Sequence, residues 1–231
     1  MPASAKHISS CKTDRCIAKE IGMEARLRPE MPCSWIARPT TLLNTLNIDD
    51  VMRQYGQAFP TFKYLQTLPI DAFNKNAGRC VSNFCDLDPK ELYNQGKRVI
   101  GMVLNLDKHN EPGSHWVMCA IDMRVPNKPV ILYYDSFGRP PPAALYPFLQ
   151  KMLENTPSSN AAREYMHRYS CFNSNAQQRK NTECGVYSIL ALEALIHGVP
   201  FHKYCSRNIS DEEVQKQRYR LFDHVKEGCE K

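Results

Sequence analysis

Residues Cys184–His197 (CGVYSILALEALIH) are apolar nearly all the way round. A surface helix shows water one polar face, and this segment has none, so it must run through the middle of its fold. That demand excludes small, thin or extended architectures. It needs a domain large enough to wrap a helix on every side, and a chain of 231 residues buries roughly 70% of its unfolded surface. The segment stops with His197 in its last turn, Gly198 just past it and Pro200 beyond, the order expected at a helix end. A final helix opens at Ser210 and Glu213, a capping box, with Val214, Leu221, Phe222 and Val225 as its inward face.

The material to surround the central helix lies upstream. Val99–Leu106, Val117–Met123 and Pro129–Tyr134 are short apolar runs of strand length, and Val125–Lys128 (VPNK) makes a tight reversal between the last two. Tyr169–Phe172 is a further strand. Pro142–Asn155 has helical spacing, with Leu145, Phe148, Leu149, Met152 and Leu153 on one side. Asn47 is placed to cap a helix with Asp49 and Asp50 in its first turn and Ile48, Val51, Met52 and Tyr55 along one face. Helix, strands, then a buried helix predict an α+β class. Residues 1–38 are mixed in charge and closed by Pro29, Pro32 and Pro39. They are expected to form an N-terminal arm with one helix, Arg15–Leu27, ahead of a single domain over 39–231.

The chain holds ten cysteines, and a domain of this size needs no covalent staples. The first residues (MPASAKHISSCK) have no apolar run, which predicts no secretory signal. The longest apolar stretch, Val186–Ile196, is broken by Ser188 and Glu193 and is far short of the ~20 residues that cross a bilayer. An intracellular, reducing setting with free thiols is expected, and no membrane partner. Cys11/Cys16 and Cys80/Cys85 share C-x4-C spacing, but no His-x3–5-His follows. They are expected to be free or buried thiols, with no metal site. Cys119 and Cys171 fall in strand runs and are expected in the core. The net charge of +6 is scattered and makes no basic tail. There is no Walker loop, dinucleotide GxGxxG, HExxH or GxSxG elbow.

One cysteine stands in an unusual place. Cys184, in Thr182-Glu183-Cys184-Gly185, lies where a polar loop (NSNAQQRKNTE) runs into the buried helix. A cysteine there is ordinarily a small core hydrophobe. It also meets the free N–H groups and positive end of the helix dipole, which favour thiolate. Gly185 would let a substrate backbone come close. A nucleophilic cysteine needs a base and an orienting group. His115, in Gly113-Ser114-His115-Trp116 at the mouth of strand 117–123, has the best position, with His109 a weaker competitor. If strands 117–123 and 129–134 pair about Pro126–Asn127, facing residues sum to about 253. Asp135 then emerges at the same end as His115, while Asp122 is about seven residues, or over 20 Å, away. Asp135 is the predicted partner that fixes the imidazole tautomer. Gln177 and Gln178 precede Cys184 in its loop, and a glutamine N–H with the Cys184 backbone N–H would form an oxyanion hole.

His115-Trp116, then Asp135-Ser136, then Gln178 six residues before Cys184-Gly185, resembles the SUMO-protease/adenovirus-protease-like cysteine peptidases. Within them the chain is similar to the core-polyprotein proteases of African swine fever virus and related large DNA viruses. The similar segments are Gly113–Arg124 (GSHWVMCAIDMR), Gln178–Ser188 (QRKNTECGVYS), Ile209–Phe222 and, more weakly, Leu46–Arg53. Those viral relatives carry Asn where this chain has Asp135. The resemblance implies a papain-like core with the nucleophile-bearing helix on a mostly antiparallel sheet. It further implies His115 as base, Asp135 as orienter, Gln178 as oxyanion donor and Cys184 as nucleophile, with no cofactor. A groove accepting Gly-Gly before the scissile bond would have Trp116 as a wall. The implied substrate is a viral structural polyprotein with Gly-Gly-X sites, cut in the host cytoplasm at the assembly site or in the virion. A SUMO or ubiquitin isopeptidase with the same four residues is the alternative. A nucleic-acid module on a decayed protease fold is disfavoured by the intact tetrad and the lack of clustered Lys and Arg. These residues leave open any DNA or peptide activator and the oligomeric state.

Overall fold

The computed structural model describes residues 28–225 and Cys229, apart from 77, 78, 83, 127 and 158–169. The predicted helix Arg15–Leu27 and the Cys11/Cys16 pair lie outside the described residues. In chain order the elements are β1 (Glu30–Met31), α1 (Ser34–Ala37), α2 (Thr45–Ala58), β2 (Phe62–Pro69), β3 (Lys75–Asn76), β4 (Arg79–Cys80) and α3 (Pro89–Asn94). Then come β5 (Val99–Asn105), β6 (Trp116–Asp122), β7 (Val130–Tyr134), α4 (Tyr146–Glu154), β8 (Ser170–Phe172), α5 (Cys184–Ile196), α6 (Phe201–Cys205), α7 (Asp211–Leu221) and β9 (Asp223–Val225). The class is α+β, as expected.

Five strands form one sheet in the order β2-β5-β6-β7-β8. Its centre is antiparallel, β5 to β6 and β6 to β7. Its two outer strands join in parallel, β2 to β5 and β8 to β7. The sheet is therefore mixed. Helices α3 and α4 lie in the two parallel connections, and a parallel return needs such a crossover. Alternation along the central strands sorts side chains onto two faces. Val99, Val103, Met118, Ala120, Leu132 and Tyr134 point to one core, Ile100, Met102, Leu104, Val117, Cys119 and Tyr133 to the other. Both faces are covered, which is why β5 reads as an unbroken apolar run.

Helix α5 lies on the first face, with α2, α6 and α7 around it. Ten of its thirteen residues are buried, so the all-round apolar pattern has the predicted cause. Glu193, which interrupts that pattern, accepts from Tyr55 Oη–H (2.7 Å) and Arg220 (2.9 Å). Gly101 provides the flat place on β5 against which α5 seats. A Cβ there would stand 2.7 Å from Leu192 Cδ2 and 2.8 Å from Phe62 Cε2. Gly198 ends the region with φ +82°, a left-handed position natural to glycine.

Three details differ from expectation. The cap of α2 is Asn44, three residues before the predicted Asn47. The two exchange bonds reciprocally, each side-chain oxygen accepting the other's N–H. The β6–β7 pairs sum to 252, as in Ile121↔Ile131. The loop beyond Asp122↔Val130 holds the seven residues 123–129, so its symmetry point is Pro126 itself. Cys171 is exposed, because β8 is the outer strand, whereas Cys119 is fully buried.

The largest correction concerns the two ends of the chain. β1 pairs in parallel with β9, Trp35 stacks edge-on against Phe222 at 4.9 Å, and Cys33 is disulfide-bonded to Cys229. Free thiols were expected at both positions. Pairing of β1 with β9 brings partners 196 residues apart in sequence to a Cα–Cα distance of 5.4 Å, within bridging range. Residues 30–37, assigned by sequence to the arm, thus pack on the C-terminal segment. Of the Cys80/Cys85 pair only the Cys85 side chain is described, a buried free thiol. Among the described residues no helix is long and apolar enough to cross a membrane, and no group of three or more His, Cys, Asp or Glu is placed to hold a metal.

Candidate active site

Antiparallel strands deliver the carboxylate and the imidazole. His115 immediately precedes β6 and Asp135 immediately follows β7, so the hairpin brings both to one end of the sheet. His115 Nε2 lies 2.7 Å from Asp135 Oδ1. Asp135 is wholly buried and His115 is 8% exposed. Asp135 Oδ1 also accepts from the Phe137 N–H (2.9 Å), and its carbonyl accepts from Asn173 Nδ2–H (2.9 Å). The carboxylate is thus fixed before the histidine meets it. Asp122 lies at the far end of β6, paired with Arg124 at 2.6 Å. The competitor His109 pairs with Asp71 at 2.6 Å on a separate loop. The sequence choice of Asp135 over Asp122, and of His115 over His109, is the one this geometry brings together.

With Nε2 turned to Asp135, Nδ1 is the ring nitrogen left for the thiol. Burial works against a charged ring, but hydrogen bonds to Asp135 and to Cys184 outweigh it and lift the His115 pKa to about 9. The ring face rests on Phe137, centroids 5.0 Å apart, and Arg139 covers the same phenyl at 4.8 Å. These contacts restrict the imidazole to a plane that joins the two partners.

Cys184 is the first residue of α5 and is 2% exposed. The first bond of the helix runs from the Tyr187 N–H to the Glu183 carbonyl, 3.0 Å. The N–H groups of Cys184, Gly185 and Val186 ahead of it have no intrahelical partner, so an anion bound there is well placed. Gly185 has a different reason from the one predicted. A Cβ there would lie 3.0 Å from Leu43 Cβ and 3.3 Å from Trp116 Cδ1. The space a side chain would need is taken by Leu43 and Trp116. Trp116 in turn donates Nε1–H to the Leu43 carbonyl at 2.8 Å.

The two glutamines divide cleanly. Gln177 has its oxygen on Tyr134 Oη–H and its nitrogen on the Arg207 carbonyl at 2.7 Å, so its amide is committed to packing. Gln178 accepts from Ser136 Oγ–H at 2.6 Å, which fixes the sense of the amide. One of its two N–H groups meets the Lys180 carbonyl, leaving the second to donate. Both backbone N–H groups bond the Ser136 carbonyl at 2.9 Å, tying the glutamine loop to the residue beside Asp135. Sequence reasoning gave Ser136, Phe137 and Asn173 no role. Ser136 had one available signal, its place next to Asp135, and the other two had none in a single sequence.

A base held between a carboxylate and a thiol, with free N–H groups and an oriented amide nearby, is equipped for nucleophilic acyl transfer. Known proteins are similar to this chain in sequence and in fold. The cysteine protease S273R of African swine fever virus (isolate Tick/Malawi/Lil 20-1/1983) is 28% identical over 200 residues, covering 79% of this chain and 68% of that protein. A protein of Acanthamoeba polyphaga mimivirus with a thiol-protease name is 26% identical over 186 residues; the chain spans 58% of its length. In fold, the crystal structure of the swine fever virus pS273R protease superposes with a TM-score of 0.70 at 22% identity, covering 95% of this chain and 86% of that one. The Ulp1 protease domain in complex with Smt3, the yeast SUMO, does so with a TM-score of 0.51 at 18% identity, over 78% of this chain and 75% of that one. Residues 69–231, the stretch that holds His115, Asp135, Gln178 and Cys184, match the Ulp1 protease family, C-terminal catalytic domain, and this chain belongs to that family of cysteine proteases.

Proposed function

We propose that this chain is a cysteine endopeptidase that matures a viral structural polyprotein by cutting after Gly-Gly. The observation that carries the proposal is the buried His115–Asp135 pair at 2.7 Å, with Cys184 at the start of α5 near enough to raise the His115 pKa. His115 carries on Nδ1 the proton given up by Cys184, so the ring is already an imidazolium at neutral pH, and the sulfur attacks the peptide carbonyl. The oxygen, now negative, takes hydrogen bonds from the Cys184 N–H and the free Gln178 N–H. His115 returns its proton to the leaving amine, the C–N bond breaks, and a thioester remains. Water, deprotonated by His115, then attacks that thioester and releases the acid and the thiol. Asp135 holds the ring in place and supports the imidazolium.

Support for the substrate class comes from two directions. Ser114 and Trp116, the neighbours of His115, border a cleft of about 560 Å³ that also has Leu43, Asn44, Thr67 and Lys108 in its walls, room for an extended peptide. The Gly-Gly preference comes from the family resemblance, and the viral setting from the relatives in two large DNA viruses. The working place that follows is the host cytoplasm at the assembly site, or the virion. A second reading, removal of SUMO or ubiquitin, uses the same residues and is favoured by the fold shared with Ulp1 bound to Smt3.

Gly-Gly-X fluorogenic peptides, set beside SUMO and ubiquitin C-terminal probes, separate the two. Turnover of the peptides, abolished in Cys184→Ala with the fold intact, is the expected result. Turnover confined to folded modifiers moves the assignment to a deconjugase, and cleavage that survives Cys184→Ala removes the nucleophile assignment altogether.

A further inference from the structure

The residue before the nucleophile is tied to a helix that carries none of the four site residues. Glu183 and Arg218 form an ion pair at 2.9 Å, their side chains 3% and 0% exposed. Arg218 uses both Nη2 and Nε on one carboxylate oxygen, at 2.9 and 3.2 Å. Its other contacts are to backbone. Nη1 donates to the Thr41 carbonyl at 2.6 Å, and Nη2 reaches the Thr182 carbonyl at 3.5 Å. The Trp35 ring closes the far side of the guanidinium, 4.6 Å away. Glu183 Oε1 is buried with no hydrogen-bond partner among the described residues. Two charges have been taken fully out of water and one oxygen left unsatisfied. Such a pair is a poor device for stability alone, since apolar residues of similar volume would serve as well or better.

Seven residues earlier on the same helix, Asp211 grips the other end of the same loop. Its carboxylate accepts from the N–H groups of Arg179 (3.0 Å) and Lys180 (2.8 Å), and from Tyr187 Oη–H on α5 at 3.1 Å. Positions i and i+7 share a helix face. The segment 179–183, which joins Gln178 to Cys184, is therefore held at both ends by one face of α7. Thr182 and Glu183 are also the residues whose backbone sets the direction in which Cys184 and its free N–H leave the loop.

We propose that α7 is a clamp on the nucleophile loop and that Arg218 is a positioning residue for Cys184. By fixing the Thr182–Glu183 backbone against Thr41, it aims the thiol at His115 and the Cys184 N–H at the oxyanion. Arg218 touches no reacting atom. The inference rests on the protease reading for its consequence in turnover, but its geometry can be tested on the thiol directly.

The test compares wild type, Arg218→Lys and the double variant Arg218→Met with Glu183→Leu. The double change removes both buried charges together and keeps the volume apolar, so folding is retained while the bonds to the Thr41 and Thr182 carbonyls are lost. Two rates are measured: alkylation of Cys184 by iodoacetamide, and peptide turnover per active site titrated. Positioning predicts at least a tenfold fall in both for the double variant, with its melting midpoint near that of wild type and KM unchanged. Arg218→Lys, which keeps charge but not the fork, is expected to fall by a similar factor, and it carries the test if the double variant does not fold. Both rates within twofold of wild type in the folded variants overturn the proposal. A wild type that alkylates readily but cuts no peptide sinks the protease reading alone, and the alkylation ratio still decides the role of Arg218.

Discussion

Replacing Asp135 with Asn tests the electrostatics of the site with almost no change in shape. The amide keeps the volume and an oxygen for the Phe137 N–H, and removes only the charge that faces His115 Nε2 at 2.7 Å. In the native protein burial pulls the imidazole toward neutrality, and the hydrogen bonds to Asp135 and Cys184 reverse this, carrying its pKa from 6.5 to about 9. At about 1.4 kcal/mol per tenfold change in proton affinity, that is on the order of 3 kcal/mol in favour of the imidazolium. Because the folded pKa lies above the unfolded one, this stability is fully present below about pH 6.5 and is lost as pH rises through about 9. In Asp135→Asn the burial remains and the largest opposing interaction is gone, while the contact with Cys184 stays, so His115 should titrate well below 9. At pH 7.5 the neutral fraction of the ring then rises above its native level. The readout is the His115 Cε1–H chemical shift across pH, assigned with a His115→Gln variant. Denaturant midpoints at pH 6 and pH 9.5 supply the linked stability, taken as the difference between wild type and variant so that other titrating groups cancel. A His115 pKa that stays near 9 in Asp135→Asn would refute the claim that this carboxylate holds the charged ring.

The neighbouring glutamines should fail in different ways. Gln178→Ala removes an oxyanion donor, expected to lower kcat by 10²–10³, about 3–4 kcal/mol of barrier, with the melting midpoint little changed. Gln177→Ala leaves the Arg207 carbonyl and the buried Tyr134 hydroxyl without their partner, so it should lower stability by about 1–3 kcal/mol and leave kcat per folded molecule near wild type; the reverse pattern would mean that the oxyanion donor is one residue earlier. Reducing the Cys33–Cys229 bridge frees a loop of 196 residues, and the chain-entropy relation sets its worth at about 5 kcal/mol at most. Thermal melts with and without a dithiol, repeated on Cys33→Ser, should show a large drop in midpoint, and identical melts would show that β1 and Trp35 hold the termini together unaided.

Why some of this was readable in the chain, and some not, follows from how far each interaction reaches. The central helix, the β6–β7 hairpin and the final capping box are local patterns, so their residues declare them. The hairpin in turn places His115 and Asp135 by counting alone, and the one-residue error in register left them at the same end, because Asp135 stands only two residues, about 7 Å, from the position that faces His115. Strand β2 was missed for a local reason too. Its burial does not alternate, since the chain bulges at Gln66 with φ +99° and the pairing slips between Tyr64 and Thr67. Asp49, which reads as a helix-dipole carboxylate, is the residue that holds this bulge, accepting from the Thr67 N–H at 2.7 Å and the Tyr64 hydroxyl at 2.8 Å. The features that stayed hidden have no sequence period at all. Arg218 sits in a helix rich in Lys, Arg, Asp and Glu, where an arginine ordinarily faces water, and only the approach of Trp35, Thr41 and Glu183 from three distant segments buries it. Cys33 and Cys229 likewise become partners only because β1 lies beside β9. The proposed tetrad is legible because its chemistry calls for particular residue types, and because their order in this chain resembles that of a known family. The clamp that aims it is not, because any element able to bury a fork of donors behind the loop would do, and which one does so is decided by packing.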